Sequence, residues 1–271
     1  PFKRIQFTPD LIPSDIIGTE VFQQYPITKQ TNFRFVKGAI FANLVLADEI
    51  NRTPPKTQAA LLEAMQEHSV TYSGKTYNLP PPFFILATQN PIEQAGTYPL
   101  PEAQLDRFLL YIKVNYPTES EELEILSQTT STQKKEHQAV IGGTEIVALQ
   151  NFVRQVSIAP ELLQYINQLV RNSRPQQTNI SEIKTYIAWG AGTRAGQALI
   201  LTAKARALLQ KRYAVVIDDI KQLAFSVLRH RLVLNFRAEA ENIDKEKQPI
   251  YLNQDYLLEY NGIQVLETNL N

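Results

Sequence analysis

The pattern of apolar and polar side chains divides the chain into two parts. Residues 2–7 alternate between the two kinds of side chain, which predicts a short strand. Residues 40–47 form an apolar run broken only by Asn43, a pattern typical of a strand buried on both faces in a parallel sheet. Residues 83–87 and 108–114 are also largely apolar, and they predict two further strands of the same sheet.

Shorter elements connect these strands. Residues 8–37 are rich in Pro, Thr and Gln and predict loops with a hairpin. Residues 53–67 predict a helix that begins on two prolines, because proline is tolerated in the first turn. Residues 70–77 predict a β-hairpin that turns near Gly74.

Beyond residue 117 the pattern becomes helical, and no strand pattern interrupts it. The predicted helices cover residues 119–127, 144–156, 160–172, 193–212 and 218–234. We therefore predict an α/β domain at residues 1–116, built on a parallel sheet, and an all-helical domain at residues 117–240. Residues 241–271 are polar with β-like patches, and we assign them no role.

Composition excludes several classes of site and partner. Lys and Arg together number 27, as do Asp and Glu, so the formal net charge of zero argues against a nucleic-acid-binding protein. The sequence has no cysteine, which excludes disulfides, thiolate metal sites and cysteine nucleophiles. Its three histidines are scattered without metal-ligand spacing. We find no apolar run of membrane-spanning length and no signal peptide, and we predict a cytoplasmic protein without a membrane partner.

Two adjacent acids follow the predicted central strand. Asp48 and Glu49 come directly after the apolar run, and ligands of open α/β sheets bind at the carboxyl ends of strands. Adjacent side chains point in different directions, so one acid can hold Mg²⁺ while the other activates a water molecule. The pattern alone fits equally well a buried strand that ends in two solvated acids.

Two further polar residues follow or precede predicted strands of this sheet. Asn90 follows the strand at 83–87, where its amide could reach a γ-phosphate or an attacking water. An Asn before Pro is more commonly a turn residue. Arg107 precedes the strand at 108–114, where its guanidinium could stabilise phosphoryl-transfer charge on a neighbouring subunit. The alternative is a solvated or ion-paired arginine.

A glycine-rich segment at residues 189–196 invites comparison with a phosphate-binding loop. No Gly-Lys-Ser/Thr follows it and no strand precedes it, so we reject that interpretation. The segment predicts instead the start of a helix with Thr193 near the cap. Arg194 then lies in the first turn, where its charge opposes the helix dipole, and this favours an anionic partner.

Three long blocks of sequence closely resemble the MoxR-type AAA+ ATPases, including their Walker B region. The blocks are FANLVLADEINR at 41–52, ATQNPIEQ at 87–94 and GTYPLPEAQLDRF at 96–108. The similarity extends over about residues 2–237. It implies an AAA+ fold with a helical lid domain, and the activity of an ATPase that uses ATP and Mg²⁺.

The resemblance implies a role for each candidate residue. Asp48 would bind Mg²⁺ through water, and Glu49 would be the base that polarises the attacking water. Asn90 would be sensor 1, and Arg107 would be an arginine finger that acts on ATP in the next subunit. Arg194 would be sensor 2, which reports the nucleotide state to the lid.

The resemblance also implies an assembly and a cellular task. The hairpin at 70–77 is similar to the pre-sensor-1 insertion of this AAA+ branch, and residues 14–38 are similar to its helix-2 insertion. Family members form rings, usually hexamers, and act as chaperone-like remodellers or maturation factors, often with von Willebrand factor A domain proteins. The alternatives are a non-hydrolytic relative that serves as a ring scaffold or binding subunit, and an AAA+ protein that acts on nucleic acid.

Two features depart from the family pattern. Gly192-Thr193 stands where the family has Ser-Pro ahead of the sensor arginine. The motif Gly-x-x-x-x-Gly-Lys-Ser/Thr, which holds the ATP phosphates, occurs nowhere in the 271 residues. The resemblance places that motif ahead of the strand at 2–7, with its own strand between those at 83–87 and 108–114. Without it we expect unpaired strand edges and an uncovered apolar face. We also expect a chain that by itself is inactive and either aggregation-prone or only partly folded.

Overall fold

The computed structural model describes residues 1–24, 31–90, 96–130, 138–241 and 243. These residues form two compact units. The first, here called the α/β unit, contains the described residues of 1–108 and 143–150. The second, here called the helical unit, contains the other described residues. The segment 241–271, which has no predicted role, lies outside the described residues except for Glu241 and Ile243.

The α/β unit is built from short strands and helices. In chain order they are β1 (Phe2–Gln6), α1 (Pro13–Ile17), β2 (Gly18–Gln24), β3 (Thr31–Lys37), β4 (Leu44–Asp48), α2 (Pro55–Glu67), β5 (Ser69–Tyr72), β6 (Lys75–Asn78), β7 (Phe84–Ala87) and α3 (Glu102–Leu105). A short 3₁₀ turn, Ile50–Arg52, separates β4 from α2. The predicted helix at 53–67 and the predicted hairpin at 70–77 are confirmed.

The central sheet is parallel and has the order β1-β4-β7. Leu44 of β4 lies beside Phe2 of β1 on one side and beside Phe84 of β7 on the other. This confirms the predicted parallel sheet. Strand β4 begins at Leu44 and not at residue 40, because the preceding segment forms turns, in which the Phe41 N–H donates to the Gly38 carbonyl and the Ala42 N–H donates to the Ile40 carbonyl.

The two faces of this sheet differ. On one face Val45 and Ala47 are fully buried and belong to the same core as Leu61 and Leu62 of α2. Side chains alternate between the faces of a strand, so the other face carries Phe2, Phe84 and Leu86, which are 57%, 54% and 46% exposed. Among the described residues the sheet thus has one covered face and one open apolar face.

Two antiparallel hairpins pack against each other beside the sheet. Strands β2 and β3 form the first hairpin, whose tip at residues 25–30 lies outside the described residues, as does that part of the predicted insertion at 14–38. Strands β5 and β6 form the second. The Phe35 ring of the first hairpin stacks on the Tyr77 ring of the second, with centroids 4.4 Å apart. Aromatic stacking thus fixes one hairpin on the other.

The second part of the chain is helical with a small sheet. Its elements are α4 (Glu119–Thr129), α5 (Gly143–Gln155), α6 (Pro160–Asn172), α7 (Ser181–Tyr186), β8 (Ile187–Trp189), α8 (Thr193–Leu209), α9 (Ile217–Leu228), β9 (Val233–Leu234) and α10 (Phe236–Ala240). Helix α6 has the predicted bounds, but α9 ends before the predicted residue 234. The expectation that no strand interrupts the helices is wrong, because β8 pairs with β9.

The predicted strand at 108–114 is also wrong, since the structure gives this segment no strand conformation. The backbone N–H of Tyr111 donates to the carbonyl of Ser226 in α9 at 2.8 Å, and Leu110 packs against the core of the helical unit. Ile112 and Val114 are 72% and 90% exposed. A strand needs the edge of a neighbouring strand, whereas this segment takes its contacts from a helix.

Helices α8 and α9 form much of the core of the helical unit. Leu199 of α8 and Ile220 of α9 are fully buried, and α8 also buries small residues that allow close helix packing. Those small residues are Ala195, Ala198, Ala203 and Ala207. None of the helices in the described part of the chain has the length and apolar composition needed to span a bilayer.

A buried carboxylate stabilises the start of α9. Asp219 is fully buried and accepts two hydrogen bonds from the Arg212 guanidinium, at 2.8 and 2.6 Å. It also accepts from the Val216 N–H at 3.0 Å, and Arg206 lies 3.4 Å away. Burial raises the pKa of the Asp219 carboxyl, but the hydrogen bonds from Arg212 and Val216 with the two arginine charges outweigh burial and lower it. The hydrogen bonds and ion pairs of the Asp219 carboxylate therefore stabilise the fold fully at neutral pH. This stabilisation is lost in acid as the carboxyl protonates.

We expect the substitution Asp219→Asn to destabilise the helical unit by about 3 kcal/mol, because it removes the buried charge that two arginines face. The measurement is urea unfolding at pH 7, followed by circular dichroism. The matched control is Asp218→Asn, one residue earlier in α9, where the acid is largely exposed and a change within about 0.5 kcal/mol is expected. Equal midpoints for the two variants would contradict the prediction.

Candidate functional site

Asp48 lies at the carboxyl end of β4 between two hydrogen-bond donors. The Thr88 hydroxyl, directly after β7, donates to one carboxylate oxygen at 2.5 Å. The Arg4 Nε donates to the other oxygen at 3.1 Å from β1. The hydrogen bond from Thr88 first, and then that from Arg4, lower the pKa of Asp48. Asp48 is therefore an ionised carboxylate at neutral pH.

Glu49 follows in an uncommon backbone conformation. Its φ of 56° and ψ of 48° are left-handed, so the chain turns sharply after β4. The Glu49 N–H donates to the Thr88 hydroxyl oxygen at 2.9 Å, which fixes the turn against the end of β7. The Glu49 carboxylate accepts from Gln6 Nε2 at 2.9 Å and from Arg52 at 3.1 Å. The turn thus presents both acids at one end of the sheet, each with its own donors.

Arg4 and Gln6 of β1 join the two acids into one network. They are two residues apart on a strand, so their side chains share a face. An Arg4 guanidinium nitrogen donates to Gln6 Oε1 at 2.9 Å, while Gln6 Nε2 donates to Glu49. Neither Arg4 nor Gln6 is among the site residues predicted from the sequence. The available signal was their polar character at alternate positions of a strand that neighbours the acids.

Asn90 lies at the same end of the sheet, as predicted from its place after β7. Asn51, in the 3₁₀ turn after Glu49, donates its side-chain amide to the Asn90 carbonyl at 3.5 Å. The structure therefore brings Asp48, Glu49 and Asn90 to the ends of two neighbouring parallel strands.

Arg107 lies on the surface of the α/β unit. Helix α3 ends just before it, and the Arg107 N–H donates to the Gln104 carbonyl at 3.1 Å. Its side chain is exposed, so it is accessible to a neighbouring molecule. The segment that leads to α3 is attached to the turn after Glu49, because the Tyr98 N–H donates to the Asn51 carbonyl at 2.6 Å.

Arg194 lies in the first turn of α8, in the helical unit, and its side chain is exposed. The preceding glycines have a packing role: a Cβ on Gly190 would lie 2.3 Å from the Ser173 carbonyl oxygen. Ser173 also accepts the Ala191 N–H on its hydroxyl oxygen at 2.9 Å, and Arg174 donates to the Ala191 carbonyl at 2.9 Å. The start of α8, and Arg194 with it, is thereby held against the end of α6.

The oxygen groups at Asp48 suit Mg²⁺ better than they suit a metal that is bound by protein ligands alone. Mg²⁺ prefers oxygen ligands and is commonly bound through one or two carboxylates together with water and substrate phosphates. Asp48 supplies an ionised carboxylate and Thr88 a hydroxyl. No group of three or more His, Cys, Asp or Glu side chains suited to a metal occurs within the described ranges.

Comparison with known proteins supports the same family as the sequence blocks. Residues 1–110 match the ATPase family associated with various cellular activities (AAA), and residues 180–250 match the AAA lid domain. The chaperone MoxR1 of Mycobacterium tuberculosis is 43% identical over 246 residues, which cover 90% of this chain and 64% of that protein. The uncharacterized protein YeaC of Bacillus subtilis is 45% identical over 250 residues, which cover 90% of this chain and 73% of that protein.

A solved structure shows a similar fold. The crystal structure of a candidate ATPase from Cytophaga hutchinsonii superimposes with a TM-score of 0.84 at 43% identity, and the match covers 95% of this chain and 76% of that chain. That agreement confirms the predicted class, a parallel-sheet core with a helical lid. From the sequence blocks, the fold and these relatives together, we conclude that the chain belongs to the MoxR-type AAA+ ATPases.

Proposed function

We propose that this chain is part of a subunit that binds and hydrolyses ATP in order to remodel or mature protein complexes. The observation that carries the proposal is the network around Asp48 and Glu49 at the carboxyl end of the parallel sheet. A pair of carboxylates with separate donors provides two different chemical environments at one strand end. Such a pair suits the division of work between metal binding and activation of water.

In this proposal Asp48 holds Mg²⁺ through water, and Thr88 orients the Asp48 carboxylate. When bound, Mg²⁺ would neutralise charge on the β- and γ-phosphates of ATP. Glu49 accepts the hydrogen bond of the attacking water as the general base. Gln6 and Arg52 both donate to Glu49, and they hold its carboxylate in place. Asn90, as sensor 1, orients the γ-phosphate or the water.

The remaining candidate residues act beyond this strand end. Arg107 is exposed, which suits an arginine finger that reaches ATP bound to the next subunit of a ring. Arg194, exposed at the start of α8, suits a sensor 2 contact with the nucleotide. The same proposal includes a hexameric ring, a partner with a von Willebrand factor A domain and a cytoplasmic location. It also includes the division into residues 1–116, 117–240 and 241–271.

The alternative proposal is a non-hydrolytic subunit that serves as a ring scaffold. Arg107 would then act on a neighbour's ATP, and the chain's own acids would be idle. The hydrogen bonds that hold Glu49 count against this alternative, because a scaffold gains nothing from a positioned base. The reading frame ahead of Pro1 separates the two: an in-frame Gly-x-x-x-x-Gly-Lys-Ser/Thr supports hydrolysis, and an intact frame without that motif supports the scaffold.

We expect Glu49→Gln to lower kcat for ATP hydrolysis by about a hundredfold or more, because the general base is lost. The variant is made in the product of the complete reading frame that contains these residues. Binding of ATP, measured with a fluorescent analogue, is expected to stay unchanged, since the amide keeps the shape of the side chain. Glu63→Gln, an exposed acid on α2, is the control and is expected to retain full activity. A Glu49→Gln protein that hydrolyses ATP at the unmodified rate would contradict the role of Glu49.

Mixing two inactive variants tests the action of Arg107 across a subunit boundary. We expect the homogeneous Arg107→Ala and Glu49→Gln proteins to lose about a hundredfold or more in kcat each. In a mixture, sites with an intact Glu49 meet a neighbour with an intact Arg107, so activity is expected to return. Arg171→Ala, an exposed arginine of α6, is the control and should remain active without mixing. A mixture as inactive as its components would rule out action in trans.

A further inference from the structure

Gln58 is a fully buried polar side chain that none of the roles above uses. It lies on α2 with no exposed surface. Its side-chain NH₂ lies within hydrogen-bond distance of three backbone carbonyl oxygens, which share its two hydrogens: Ile50 at 3.2 Å, Thr53 at 3.1 Å and Tyr98 at 3.0 Å. The nitrogen of this buried amide therefore contacts backbone carbonyl groups that all lie outside α2.

The three carbonyls belong to two separate segments. Ile50 begins the 3₁₀ turn that follows Glu49 and Thr53 directly follows that turn, while Tyr98 lies in the segment that leads to α3 and Arg107. That turn is itself attached to β7, because the Ile50 N–H donates to the Thr88 carbonyl at 3.0 Å. Gln58 therefore joins the turn of the proposed base to the segment of the proposed finger.

The orientation of the amide follows from its surroundings. Three carbonyl oxygens surround one end of the side chain, and only the NH₂ end can donate to them. The other end, Oε1, is buried and has no hydrogen-bond partner among the described residues. Leaving a buried oxygen without a hydrogen-bond partner is energetically costly. The site accepts that cost at one end of the amide while its donors tie the two segments together.

We propose that Gln58 is a positioning residue that holds the Glu49 turn and the Arg107 segment in one fixed geometry. This inference rests on the proposed function, since it assigns Gln58 a task in the same ATPase. Glu49 serves the subunit's own ATP, whereas Arg107 serves ATP on the neighbour. Gln58 thus couples a group that acts in cis to a group that acts in trans.

The effect of losing this coupling is geometric. A displacement of about 1 Å in a catalytic group can reduce a rate by about a hundredfold, while ground-state binding changes little. Gln58→Met keeps the length of the side chain and removes the donors. We expect it to lower kcat by about tenfold or more with KM for ATP unchanged.

The decisive experiment separates the two segments by mixing variants in the full-length protein. In the first mixture Gln58→Met is added to the Glu49→Gln subunit, which supplies only Arg107. In the second it is added to the Arg107→Ala subunit, which supplies only Glu49. We expect both mixtures to recover about tenfold less activity than the mixture with Gln58 intact. Recovery equal to that of the intact mixture in either arm would overturn the coupling.

Controls separate this inference from the proposed function and from general unfolding. Gln66→Met, an exposed glutamine on the same helix, is expected to leave both mixtures fully active. If the mixture with Gln58 intact recovers no activity, the action of Arg107 in trans fails, and the coupling fails with it. If the intact mixture recovers but the Gln58→Met mixtures match it, only the inference about Gln58 is overturned.

Hydrogen exchange gives a second, independent measurement. We expect Gln58→Met to speed amide exchange in residues 49–53 and 96–107, and to leave the amides of α8 and α9 unchanged. Unchanged exchange in either of the first two segments would overturn the inference. If Gln58→Met does not fold, Gln58→Asn, which keeps the amide and shortens its reach, replaces it in the same assays with the same criteria.

Discussion

The parallel pairing of β4 with both β1 and β7 is the constraint on which the rest of the α/β unit depends. The register of β4 with β1 places Gln6 beside Asp48. The register of β4 with β7 places Ala87 beside Ala47, so Thr88 lies within reach of Asp48. The hydrogen bonds from Arg4 and Thr88 to Asp48, and the one from Gln6 to Glu49, follow from these two registers. A shift of β1 by one residue would turn Arg4 and Gln6 to the opposite face and remove both from the acids.

A second level of organisation lies behind the strand ends. The turn after Glu49 is held by the end of β7 from one side and by Gln58 of α2 from the other. The same amide reaches the segment before Arg107. The acids at the surface of the site are therefore supported by buried groups, and support of this kind is what keeps reacting groups in a productive geometry.

The sequence predicted the groups with a local signal and missed those that depend on contacts between distant segments. The acids Asp48 and Glu49 end an apolar run, and runs of that kind are visible in one dimension. The role of Gln58 is not visible, because nothing in a helical pattern tells whether a glutamine faces solvent or three carbonyl groups. For the same reason β8 and β9, only three and two residues long, carry no alternation that a pattern could detect.

The predicted strand at 108–114 failed for a related reason. Its apolar composition is real, but composition does not specify which surface will bury it. In the structure Leu110 packs with the helical unit, and Tyr111 gives its N–H to a helix carbonyl. An apolar run identifies a segment that favours burial, and the three-dimensional fold decides which part of the run is buried: Leu110 packs against the helical unit, whereas Ile112 and Val114 stay exposed.

The left-handed conformation of Glu49 sets the strain of its backbone against the presence of its carboxylate. A residue with a Cβ carries about 1–2 kcal/mol of steric strain in that conformation, and glycine carries almost none. Glycine at this position would relieve that strain, but it would remove the carboxylate and its hydrogen bonds from Gln6 and Arg52. Total stability is commonly only 5–15 kcal/mol, so the strain at this one peptide is a sizeable fraction of it. Position 49 thus holds a carboxylate where the backbone conformation favours glycine.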